Sequence, residues 1–141
     1  MKILLASDGT PSSDRAIARV AELTPSGPRE VVLLHVRVHQ PEPVLAANAD
    51  GLSWVPGPDE RDMETHLAYA CTQLARQNLS ARAVLVRGSD PLQRIMQVAD
   101  AEAVDLIVVG TRHLGLLGRL FLGSISKGLA AQGRFPLLII P

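Results

Sequence analysis

Asp105-Leu-Ile-Val-Val-Gly110-Thr-Arg-His113-Leu-Gly115-Leu-Leu-Gly118-Arg-Leu-Phe-Leu-Gly123-Ser-Ile-Ser126 is the stretch on which the fold turns. Leu106–Val109 is a short apolar run without alternation, which reads as a strand buried on both faces. Gly110 ends it, where a side chain would obstruct a ligand approaching the backbone. Gly123-Ser124 then opens a helix, whose free N–H groups and positive dipole end are open to an anion. The hydroxyls of Ser124 and Ser126 add donors. A strand end, a glycine-punctuated loop and a helix start, in that order, gather backbone N–H groups around a phosphate. Alone, Gly123 reads as a turn and Ser124 as an N-cap; Gly110 at the far end of the loop favours one site flanked by both.

Working outward, Ile3–Ala6 is a first buried strand ending in the turn Ser7-Asp8-Gly9, and Thr10-Pro11 supplies an N-cap and a proline at the first helical position. Ala16, Ile17, Val20 and Ala21 recur at helical spacing. Val31–Val38 is a second strand, and Ala81–Val86 a third. Asp59–Gln77 is an amphipathic helix with Met63, Leu67, Ala70 and Leu74 on one face. Gly88-Ser89-Asp90-Pro91 starts another helix, and Leu137–Ile140 is a fifth strand. From His39 to Pro58 the chain is rich in Pro, Gly, Asp and Asn and shows no period; it reads as a long loop, a lid or a mobile segment.

Alternating strands and helices imply right-handed crossovers and an α/β fold: a three-layer α/β/α arrangement with a parallel sheet between two helix layers. Ligands of such sheets bind beyond the carboxyl ends of the strands, where strand order reverses. With strands one and four adjacent, Asp8 and Gly110 face one crevice.

The 141 residues read as a single domain, 1–141, and the low aromatic content of 3% makes the core aliphatic. The formal charge is zero, with 14 basic and 14 acidic residues interspersed, so no electrostatic footprint for nucleic acid or an anionic membrane is present. A lone Cys71 rules out an internal disulfide and a multi-cysteine metal site, and reads as a small core residue. No signal peptide and no membrane-length apolar run is visible. The expectation is a cytoplasmic protein. His35 reads as a hydrogen-bonded core histidine, His39 and His66 as solvated.

Asp8-Gly9-Thr10 after an apolar strand, Leu-Leu-His-Val at 33–36, Gly88 before a helix, and Val-Val-Gly…Leu-Gly-Ser-Ile-Ser at 108–126 resemble a universal stress protein domain over essentially the whole chain. The resemblance implies a five-stranded parallel sheet in the order 3-2-1-4-5 with helices on both faces (Rossmann-like). It implies an adenine nucleotide, ATP foremost, with adenine and ribose near Ala6, Ser7, Asp8 and Val36. Phosphates would meet Gly110 through His113, Arg112 included, and Gly123, Ser124, Ile125 and Ser126, with Mg²⁺ carried by the phosphates. It also implies a homodimer through the edge strand Leu137–Ile140.

Nucleotide-binding members carry glycine, two residues, glycine, nine residues, then Gly-Ser or Gly-Thr; here the second glycine is His113. Its Cβ either occludes the phosphates or forbids a left-handed φ, or its imidazole donates to a phosphate oxygen. Asp8 either accepts from ribose or adenine or holds the turn.

Rival classes fit less well. GxxxxGK[ST] is absent, and so is a dinucleotide fingerprint after strand one. The acceptor Asp and terminal Lys of a receiver domain are missing too. Two readings stand: a stress-associated regulatory module binding nucleotide, with at most slow ATP hydrolysis, and a dimeric interaction protein of the same family whose phosphate loop His113 impairs. The leucine-rich Leu114–Leu122 reads as core cover ahead of a second contact surface.

Overall fold

In the computed structural model, residues 1–38, 44–48, 51–55, 60–113, 120–121 and 123–141 are described, with side chains for 1–38, 62–111 and 123–141. In chain order they form β1 (Lys2–Ala6), α1 (Pro11–Leu23), β2 (Glu30–Val38), β3 (Val44–Asn48), β4 (Gly51–Val55), α2 (Glu60–Arg76) and β5 (Ser80–Gly88). α3 (Pro91–Ala101), β6 (Leu106–Gly110), β7 (Arg112–His113), β8 (Leu120–Phe121), α4 (Ser124–Gln132) and β9 (Leu137–Ile140) follow.

Five strands make one parallel sheet in the order β5-β2-β1-β6-β9. Counting only these strands along the chain, that is 3-2-1-4-5, as the resemblance implied. Successive residues of a strand point to opposite faces, and the apolar runs therefore feed two cores. Ile3, Leu5, Val31, Leu33 and Val108 meet Ala16, Ile17 and Val20 of α1 and Met63, Leu67, Ala70 and Leu74 of α2. On the other face Leu4, Leu34, Ile107 and Val109 meet Ile95, Met96 and Ala99 of α3 and Leu129 of α4. Burial on both faces is why the central strands lack a polar alternation.

The helix ends are held by named groups. Asp90 caps α3 by accepting from Gln93 N at 3.1 Å. Arg29 Nη1 donates to the carbonyls of Ala21 and Thr24, which closes the last turn of α1. Thr10 stands at the N-cap of α1 in an extended conformation, but its side chain accepts nothing from the helix. The expected cap is replaced: the Thr10 hydroxyl donates to Asp8 Oδ1.

The segment 39–58 is not one irregular loop. Val44–Asn48 and Gly51–Val55 pair antiparallel, Val44 opposite Val55 and Asn48 opposite Gly51; residues 39–43, 49–50 and 56–58, His39 among them, lie outside the described residues. Among the described residues no helix is long and apolar enough to cross a membrane.

Candidate functional site

The site begins where β1 stops. Ala6 is its last paired residue, opposite Leu34 and Val109. β2 and β5 continue together through His35, Val36, Arg37 and Val38. This overhang walls a space above the end of β1, and Val36 there has no β1 residue opposite it.

The chain leaving β1 is tightly tied. Ser7 N donates to Leu34 O at 2.8 Å. His35 Nδ1 lies 2.8 Å from Ser7 O, so this nitrogen carries the proton and donates to the carbonyl. Ser7 Oγ donates to Ser13 Oγ at 3.1 Å, and Ser13 Oγ donates to Thr10 O at 2.8 Å. Asp8 Oδ1 accepts from Thr10 N at 3.0 Å, the geometry of an Asx turn. Asp8 thus holds the turn, and that role is visible whatever else its carboxylate binds. Gly9 takes φ +75°, and a Cβ there would come within 3.0 Å of Met63 Cε, so the turn also rests on α2.

Gly110 needs a different explanation from the one its position suggests. A Cβ on it would lie 2.2 Å from Ser12 O and 2.6 Å from Ser12 C, so the first turn of α1 occupies the space. The neighbour that requires glycine at 110 is therefore the backbone of α1. The next residue, Thr111, is buried; its N–H donates to Ile140 O at 2.9 Å, and its carbonyl accepts from Arg15 Nη2 at 3.2 Å.

Across the space α4 begins. Gly123, not Ser124, is its N-cap, with φ −63° and ψ 167° and no side-chain cap. Ser124 is the first helical residue and exposed, whereas Ser126 is buried. The expectation of Ser124 as cap is corrected by one residue. With no side chain on the cap, the first N–H groups of α4 lack a side-chain acceptor and the positive end of its dipole faces outward.

These parts enclose a cleft of about 600 Å³, within the ordinary range for a small-molecule site. One wall is apolar: Leu34, Val36 and Val38 from β2, Pro91 and Ile95 from α3, and Ile125. The rest of the lining is polar and glycine-bearing: Ser7, Asp8 and Thr10, then Ser12 and Ser13 of α1, Gly110 and Thr111, and Gly123, Ser124 and Ser126. Of the sequence-predicted residues, Ala6, Ser7, Asp8, Val36, Gly110, Gly123, Ser124, Ile125 and Ser126 come together here. Arg112 and His113 are described in backbone only, as β7 paired with Phe121 and Leu120; their side chains, and residues 114–119 and 122 of the leucine-rich segment, lie outside the described residues.

Ser12 and Ser13 were not legible as lining residues, because serines at a helix start look like ordinary turn residues, and Thr111 was legible only as backbone within the run Gly110 through His113. Elsewhere, His66 is half-buried rather than solvated, with Nε2 3.2 Å from Asp14 Oδ1 in a close approach that lacks hydrogen-bond geometry. Cys71 packs on the core edge, and burial pushes its thiol pKa up. Among the described residues no cluster of three or more His, Cys, Asp or Glu could hold a metal.

The model of the universal stress protein family matches residues 1–141. The chain belongs to that family. Among universal stress proteins of known sequence, one from Thermus aquaticus, lying 3′ to a QAH/OAS sulfhydrylase gene, is 36% identical over 140 residues, 98% of this chain and 96% of the relative. Among solved ones, the universal stress protein from Archaeoglobus fulgidus in complex with dAMP has a TM-score of 0.66 at 18% identity, covering 100% of this chain and 98% of that one. An Arabidopsis thaliana member with AMP bound has a TM-score of 0.62 at 20% identity, covering 99% and 90%. At such identities the likeness is one of fold.

Proposed function

We propose that this chain binds an adenine nucleotide, ATP foremost, in the cleft at the end of β1, and that occupancy biases its conformation or choice of partner in a stress response. The observation that carries the reading is the division of the cleft lining between apolar residues of β2 and α3 and an uncapped helix N-terminus. A nucleotide has that same division, a flat apolar base at one end and an anion at the other. The solved relatives with AMP and dAMP support the choice of adenine.

In this reading the base lies against Val36 and the apolar wall, and the ribose hydroxyls donate to Asp8. The phosphates meet Gly110, Arg112, His113 and the start of α4 at Gly123–Ser126. Mg²⁺ comes with the phosphates, not from a protein-built site. These residues bind and orient; among the described residues no group is assigned to activate water, and in this reading hydrolysis is at most slow. Two copies would join through β9, the outermost strand of the sheet on its side, in a cytoplasmic homodimer.

The test is release and identification of small molecules from the purified protein, followed by calorimetric titration with ATP and AMP in the presence of Mg²⁺. Binding of either is expected. Asp8→Ala is expected to weaken it about tenfold, the loss of one charge-assisted hydrogen bond. No bound nucleotide and no heat at millimolar ATP would reject the reading. Unchanged affinity in Asp8→Ala would remove Asp8 from the site.

A further inference from the structure

The end of β6 carries a hydroxyl that the fold does not use. Thr111 is only 2% exposed, and both its backbone groups are engaged, by Ile140 and by Arg15. Its Oγ1 is buried with no hydrogen-bond partner among the described residues. Three other hydroxyls of the cleft are engaged within the protein: Ser7 and Ser13 bond to each other, and Ser12 accepts from Arg15 Nη2 at 3.1 Å. A buried hydroxyl without a partner carries the desolvation cost of a polar group and nothing in return. Valine has the same shape without that cost, so packing alone gives no reason for threonine.

Its placement supplies one. Alternation puts Thr111 on the same sheet face as Ile107 and Val109, the face on which the cleft opens, and Thr111 lines the cleft. Two helix starts converge there, α1 through Ser12 and Ser13 and α4 through Gly123 and Ser126. The Arg15 guanidinium is tied to the Thr111 carbonyl, with no carboxylate partner among the described residues. Helix N-termini and a guanidinium favour negative charge. The acceptor suited to this hydroxyl is an anionic oxygen.

We propose that Thr111 Oγ1 donates a hydrogen bond to a phosphoryl oxygen of the bound nucleotide, and that this residue sets the preference for phosphorylated ligands over the bare nucleoside. The proposal rests on the nucleotide reading above.

The experiment titrates the full chain and its Thr111→Val and Thr111→Ser variants with ATP, AMP and adenosine, and melts each protein without ligand. Thr111→Val is expected to weaken ATP and AMP binding about tenfold or more. Adenosine affinity should not change, and the ligand-free melting temperature should hold or rise. Thr111→Ser, which keeps the hydroxyl, should bind all three ligands as the wild type does. Wild-type ATP affinity in Thr111→Val, equal losses for ATP and adenosine, or equal losses in the two variants would each overturn the role of Thr111 and leave the nucleotide reading standing. A wild-type protein that takes up none of the three ligands overturns that reading itself, and this proposal with it.

Discussion

A methyl group at position 110 would lie 2.2 Å from Ser12 O and 3.0 Å from Ser13 N, distances at which backbone rather than the tip of a side chain must move. Gly110→Ala is therefore expected to push α1 off the end of β6 and lower stability by about 1–3 kcal/mol, the usual cost of overpacking. Urea unfolding measures it; a wild-type midpoint would mean that helix and strand do not meet this closely. The glycine was legible in the sequence as a strand terminator, but its reason was not, because Ser12 is far away along the chain and nothing local points to it. Asp8 was legible as a residue at the mouth of the site. Its turn-holding role was legible too, but not that it would also take the Thr10 hydroxyl, since Thr10 before Pro11 reads as a helix cap on its own. The Thr111 side chain left no signal: the oddity lies in what surrounds its hydroxyl, and only the fold supplies surroundings.

At the scale of elements, the start of α4 sets stability and ligand chemistry against each other. Gly123 leaves the helix uncapped, and a Cβ there would meet nothing within 4 Å. Gly123→Asp should accept N–H groups of the first turn and place a negative charge at the dipole's positive end. We expect a gain of roughly 0.5–1 kcal/mol in stability, together with loss of nucleotide binding, since the same N–H groups are then spent and the phosphates repelled. Thermal melts and titrations on one preparation read both; a variant that is stabilised and still binds ATP as the wild type does would remove the α4 start from the site. The main elements were legible because each is a short apolar run or an unbroken helical stripe. β3 and β4 were missed because proline and glycine flank them and Val-Leu-Ala-Ala-Asn at 44–48 carries no apolar-polar alternation. The last residues of β5 were missed because Arg87 and Gly88 are not strand formers, and only pairing with Arg37 and Val38 makes them strand.

Across the whole molecule, the charges that brace the fold sit at the opposite end of the sheet from the cleft. Lys2 and Glu30, at the amino ends of β1 and β2, join Arg82 near the start of β5 and Glu102 just after α3. The Arg82 guanidinium, and after it the Lys2 ammonium, hold the Glu102 carboxyl below its ordinary value of 4.5. A carboxyl depressed in the folded state stabilises fully above its unfolded pKa, and that stabilisation is lost as pH falls through the folded one. The wild type should therefore lose stability as pH drops below about 4.5. Glu102→Gln should show a shallower acid limb, and added salt should narrow the difference because these ion pairs remain accessible to solvent. Nucleotide affinity should be unchanged in Glu102→Gln; a change would mean that the two ends of the sheet are coupled.

One further consequence belongs to the four residues by which β2 outruns β1, His35 to Val38. The hollow over Ala6 exists because one strand is short and its neighbour long, which is a matter of chain length and pairing, not of any side chain. A lineage can exchange every residue that touches a ligand and still inherit the vessel. Descendants that abandon one cargo begin the search for another with the container already made.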